Sequence, residues 1–299
     1  MLALAAASSA ARADAPPEAV ATSAARSRTR SPRVEWTWPR FRWWEYAGTT
    51  GVYVADAWVR FDEPPPDHPR WIGQNPFDDT IRGWLRGGSL EARADAVKAS
   101  DWLSWTGTAY PFAIDLPVAL FAHREPGVMW QLLMMDLEAN SVAGLINNSL
   151  FHFAGRARPS TPDCAANPSY DALCGDIANN ASLPSGHVLT IATAAGLVCV
   201  HHRYLPLYGS EAADAGACAL LVTATAATGA ARIVADRHFA SDMLLGAAIG
   251  FGSGYGLPWL LHYRYGRTPG DGGEARTVTV LPLAGPSTLG LSLVGVGPL

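Results

Sequence analysis

The sequence predicts an all-α protein, a helical bundle of about six core helices with a short irregular or β-like C-terminal tail. Three observations predict it. Apolar residues make up 49% of the 299-residue chain, and from Tyr110 to Leu261 they collect in runs of helical length rather than alternating along strands. Charged residues make up only 16%, against roughly 25% in an average soluble domain. Asp115, Asp136 and Glu138 interrupt the apolar runs, so those helices face protein or water and not only lipid. A mean hydropathy of +0.08 is too low for a chain that lies mostly in a bilayer.

Residues 1–13 read as the end of a secretory signal. The run is small and apolar, and Ala11-Arg12-Ala13 fits a small-x-small cleavage site. Residues 14–33, rich in Ala, Ser, Pro and Arg and without periodicity, read as a linker. Residues 34–125 form the N-terminal aromatic and helical region. Its opening stretch, Trp36 to Tyr46, interleaves aromatic residues with arginine, as at a membrane interface. An amphipathic packing helix explains the same pattern. Asp56 interrupts the next apolar run, Ala47 to Val59, and Pro64-Pro65-Pro66 ends it. Phe77–Leu85 and Leu90–Leu103 carry helical spacing with charges on one side.

Residues 126–265 open with Val128–Phe153, helical by pattern, and go on to the cleanest apolar runs, Val188–Val200, Ala215–Ala231 and Met243–Leu261. These last three suit either a thin bilayer or a bundle core. Between the first two lies a polar loop, residues 160–182. Residues 266–299 are a Gly-rich link and short β-like pieces. Cys164 and Cys174 lie in the polar loop, where a bridge or two unlinked thiols fit equally. Cys199 and Cys218 lie in apolar stretches, and neither pair has zinc-site spacing. The net charge of −4 leaves no nucleic-acid footprint.

The stretch that organises the chain is Pro184-Ser185-Gly186-His187, placed at the start of the run Val188–Val200. Ser185 suits an N-cap, and Gly186 leaves room for a ligand. The unpaired N–H groups of the first turn attract an anion. His187 stands close enough to exchange a proton with it. Downstream, Arg232 precedes His238 and Asp242, which share a helix face at i and i+4. Asp242 would fix the tautomer of His238, and Arg232 would fork onto an oxyanion. Upstream, Arg156 and Arg158 stand before Pro159 at the end of an apolar helix.

These three motifs, in order and in internal spacing, resemble the type 2 phosphatidic acid phosphatase/haloperoxidase superfamily over roughly Val128 to His262. The family pattern is Lys, six residues, Arg-Pro; then Pro-Ser-Gly-His; then Ser-Arg, five residues, His, three residues, Asp. Two positions depart from it: Phe151 stands in the lysine slot and Ala231 in the serine slot. Arg156 or His152 could supply the missing cation; Arg156 is the expected substitute, with Phe151 packing on the apolar part of the substrate. The resemblance implies hydrolysis of a phosphate monoester or diphosphate, a lipid phosphate or other small phosphoester, at the cell envelope. The site would face the periplasm from an integral inner-membrane protein rather than a soluble one. His238 would attack phosphorus, Asp242 would orient it, and His187 would act as acid and base. Arg158, Arg232, Ser185 and Gly186 would hold the phosphate, with no metal and no cofactor. Alternative readings are a haloperoxidase with vanadate as prosthetic group, and a non-catalytic membrane scaffold.

Overall fold

The computed structural model describes residues 34–72, 75–266, 277–285 and 288–296. The expected signal and linker, residues 1–33, lie outside the described residues. The described core is all-α. Helices α1 (Trp43–Asp62), α2 (Pro76–Leu85) and α3 (Leu90–Tyr110) open it. Two π-helical turns, Pro111–Asp115 and Val118–Ala122, carry α3 onward without a break. Then come α4 (Pro126–Ala154), the short α5 (Thr161–Ala166), α6 (Gly186–Tyr204), α7 (Glu211–Val234), α8 (Ala240–Phe251) and α9 (Leu257–Leu261). A π-helical turn, Gly252–Gly256, joins the last two. The tail forms an antiparallel hairpin, β1 (Thr277–Gly285) with β2 (Thr288–Val296), in which Thr277 faces Val296 and Gly285 faces Thr288.

Local chemistry accounts for the helix starts. Asn75, Ser89 and Ser210 each accept a backbone N–H of the helix they precede. Pro76 and Pro126 occupy first-turn positions where no N–H is needed. The end of α4 differs from the sequence expectation. Gly155, at φ 52°, closes the helix in the left-handed region, four residues before Pro159.

α6 is the axis of the bundle. It is buried without a break from Ile191 to His202, as expected for a helix that is apolar all round. Fully burying a side chain such as Leu197 or Val200 stabilises the fold by about 1.5–3 kcal/mol each. α3, α4, α7 and α8 pack around α6, and α1 lies outside on α4. The closest approach is α8 on α6. A Cβ at Gly246 would stand 2.8 Å from the Ser185 carbonyl oxygen, and at Gly250 and Gly254 it would run into the carbonyls of Leu189 and Thr193. Glycine at every fourth position lets the two backbones touch and fixes the first turn of α6 against α8. Cys199–Cys218 ties α6 to α7, and Cys164–Cys174 closes the polar loop. Two stretches, Glu211–Val234 and Ala240–Tyr265, are long and apolar enough to cross a membrane. Large aromatic residues stand exposed on α1 (Trp43, Trp58, Phe61) and α3 (Trp102, Trp105).

Candidate active site

A cavity of about 930 Å³ opens beside the first turn of α6, between α1, α3 and α4. Of the residues singled out in the sequence, Arg158, Gly186, His187, Arg232 and His238 line it, and so does Phe151. The tertiary fold thus gathers all three motifs at one place.

His238 sits in the link between α7 and α8, just before the cap residue Phe239. That link is held by Asp236, a non-glycine residue at φ 58°. Arg82 grips both oxygens of Asp236 at 2.7 Å, and the Tyr170 hydroxyl donates to it at 2.8 Å. The ring of His238 is 3% exposed at the residue level, and its Nδ1 lies 2.8 Å from the Ser182 carbonyl oxygen. A carbonyl only accepts, so Nδ1 carries the proton and Nε2 keeps its lone pair. Burial, with Arg158 and Arg232 nearby, holds the imidazole well below its ordinary pKa, so the ring is neutral.

Asp242 is placed otherwise than the i, i+4 reading required. His238 precedes the helix rather than lying on it, and the Asp242 carboxylate is 3.9 Å from Nδ1. Asp242 instead accepts from Phe239 N at 2.8 Å, the Ser182 hydroxyl at 2.6 Å and Arg156 Nη1 at 2.6 Å. It therefore acts on His238 through Ser182, whose carbonyl holds the ring.

Arg156 corrects a second expectation. It does not line the cavity. The left-handed turn at Gly155 sends its side chain, 1% exposed, to Asp242 and to Asp78 at 2.8 Å, between the rings of Trp71 and Phe239. A guanidinium committed to two buried carboxylates is not free to replace the family's lysine.

His187 occupies the first turn of α6 as expected. Its Nε2 lies 2.8 Å from Asp101 on α3, leaving Nδ1 to exchange a proton. Burial lowers its pKa to about 4, helped by Arg232 and opposed by Asp101. Arg232 also leans on Asp101, at 3.5 Å. Arg158 is anchored from the polar loop, donating Nε–H to Ala178 O at 2.9 Å and N–H to Asn179 O at 2.8 Å. Burial beside Arg232 and Arg237 lowers its pKa to about 9.

Unpaired groups show what chemistry the site could accept. Arg158 Nη1, Arg232 Nε and Ser185 Oγ are buried without a partner. Ser185 is the N-cap residue of α6, but its hydroxyl makes no capping bond. An unmatched buried polar group costs about 1–3 kcal/mol. A tetrahedral oxyanion, phosphate or vanadate, would satisfy these donors together with the first-turn N–H groups of α6.

Sequence reasoning missed Ser182, Asp78 and Asp101. Ser182 stood two residues before the Pro-Ser-Gly-His motif and looked like loop. Asp78 and Asp101 lie far upstream on α2 and α3, with no local pattern to set them apart from solvent-facing acids.

Residues 132–266 match the PAP2 superfamily. All three motifs lie inside the matched segment, and that superfamily is generally one of phosphatases. No curated protein and no solved structure matches the chain.

Proposed function

We propose that this protein is a phosphohydrolase that cleaves phosphate monoesters or diphosphates, lipid phosphates foremost, through a phosphohistidine on His238. The observation that carries the reading is the tautomer of His238. Its Nδ1 is spent on Ser182 O, and its Nε2 shares a cavity with Arg158, Arg232 and His187.

In the first step the Nε2 lone pair forms a bond to phosphorus as the P–O bond to the leaving group breaks. The imidazolium side of the new phosphohistidine stays bonded to Ser182 O. Arg158, Arg232, Ser185 and Gly186 hold the three equatorial oxygens, where charge collects in the transition state. His187 Nδ1, neutral at rest, receives the proton of the substrate monoanion and passes it to the departing oxygen. It then takes one from water, which attacks phosphorus and frees His238, and that proton departs with the phosphate. Asp101 steadies the imidazolium form of His187. Guanidinium groups supply the positive charge throughout, so the proposed chemistry uses no metal and no cofactor.

Two apolar stretches of spanning length, the exposed aromatic residues of α1 and α3 and two disulfides support an envelope protein in the membrane, with its site on an oxidising side. The test is rapid acid- and alkali-quenching during turnover of a labelled phosphoester. An acid-labile, alkali-stable phosphoprotein that disappears in His238→Ala is expected. Steady release of phosphate with no such species sinks the mechanism, and inertness to vanadate sinks the oxyanion pocket.

A further inference from the structure

The wall of the cavity formed by α1 and α4 holds a polar chain that the phosphoryl chemistry does not use. Asp56 of α1 rests on Gly144 of α4, where a Cβ would come 2.9 Å from its Oδ2. Asn148 Nδ2 donates to Asp56 Oδ1 at 2.7 Å, and Asn147 Nδ2 donates to Asn148 Oδ1 at 3.2 Å. The direction of this relay is chemically forced. A carboxylate only accepts, so Asn148 must turn its NH2 to Asp56 and its oxygen to Asn147. Asn147 must then use its own NH2 on that oxygen. Its remaining oxygen, Oδ1, is left buried and without a partner. That oxygen stands beside Gly186, 3.4 Å from where a Cβ would be, next to the phosphate cradle. Thr108 Oγ1, on the α3 wall of the same cavity, is also buried and unpartnered.

We propose that this relay is a leaving-group subsite, which selects phosphoesters whose alcohol carries a hydroxyl or ammonium donor close to the ester bond. The proposal rests on the phosphatase reading for the phosphate itself. A donor arriving at Asn147 Oδ1 satisfies an acceptor that a plain alkyl chain leaves bare in a buried place. Asp56 acts at a distance, by fixing which end of each amide faces the cavity.

The test uses the full chain in detergent with three monoesters of similar size: glycerol 3-phosphate, O-phosphoethanolamine and n-propyl phosphate. The donor-bearing esters should exceed the propyl ester in kcat/KM by about tenfold or more. Comparison of the first two tells hydroxyl from ammonium. Asp56→Asn keeps the shape but lets the relay reverse, and Asn147→Leu removes the acceptor. Each should cut the preference by about tenfold, while Asn147→Asp, which retains an acceptor, restores it. A wild-type protein indifferent to the three esters, or a preference that survives both Asp56→Asn and Asn147→Leu, overturns the subsite. If no ester is hydrolysed, the phosphatase reading fails separately. Calorimetric binding of the same three esters then decides the subsite, with the same ranking expected in wild type and a flat ranking against it.

Discussion

The two ends of α6 are built from the same residue types and do different things. At its C-terminal end, His201 lies between the Tyr263 hydroxyl at 2.7 Å and Asp136 at 3.0 Å. Its neighbour His202 lies between Asp214 at 2.6 Å and Asp115 at 3.2 Å. Both nitrogens of His201 are hydrogen-bonded, and the ring of His202 is clamped between two carboxylates, bonded to Asp214 through Nδ1 and facing Asp115 with Nε2. At the N-terminal end, His187 and His238 each have one nitrogen engaged and one turned to a cavity. The lesson is that a buried histidine next to a carboxylate is not a reactive one by that fact. Reactivity needs an unspent nitrogen, unspent donors around it and room for a substrate. His202 too lines a cavity, of about 860 Å³, but carboxylates surround its ring; among the described residues it is the N-terminal end that sets an unspent nitrogen beside unpaired guanidinium donors and room for a substrate.

The sharpest test of the contrast is His238→Ala. Removing the free nitrogen should lower phosphate release by at least about a thousandfold, as for loss of a covalent nucleophile. Residual activity near wild type would break the comparison outright. Asp101→Asn should follow, with a loss of about a hundredfold in turnover. It leaves His187 in place but removes the charge that steadies its protonated form. A KM change without a kcat change would mean that Asp101 serves binding instead.

The pH profile sharpens the same point. His187 is lowered to about 4, so above that pH it is neutral in the free protein. The proton for the leaving oxygen must then arrive on the substrate monoanion, which is lost as pH rises through about 6. Below about 4, His187 is protonated again from solvent in the phosphoenzyme and cannot activate water. Activity should therefore peak between these limits, and kcat/KM should fall by about tenfold per pH unit above the upper one. A plateau reaching pH 8 would show that the bound state resets the ring.

Arg158→Ala should cost about ten- to hundredfold in phosphate-ester kcat/KM, the worth of a charge-assisted contact. The smallest catalytic effect belongs at the far end. His202→Gln should change kcat per folded molecule by less than about twofold, yet lower stability by roughly 3–5 kcal/mol as a buried ion pair is broken. Thermal unfolding together with active-site-titrated turnover checks it. A large kcat loss there would mean that the two ends are coupled along α6.

The sequence by itself determined the helical class, the break at the polar loop and the three motifs. Helical period and the small turn residues before Val188 are local properties, written in consecutive positions. It also brought Arg158, Gly186, His187, Arg232 and His238 forward as candidates through their short spacings, and the fold sets them around one cavity. What it could not determine was how each of these is held. Asp242 looked like the partner of His238 because i and i+4 share a helix face. The structure starts the helix after His238 and gives its ring to a backbone carbonyl, which has no sequence signature. Arg156 looked like a spare cation because its neighbour is one. Its true partners, Asp78 and Asp242, come from α2 and α8, and only the packing of those helices on one another brings them to it. Asp101 likewise becomes the support of His187 only because α3 packs on α6. Spacing along the chain encodes groups that act together within one turn. Buried charge pairing between helices depends on distances that no short stretch of sequence contains.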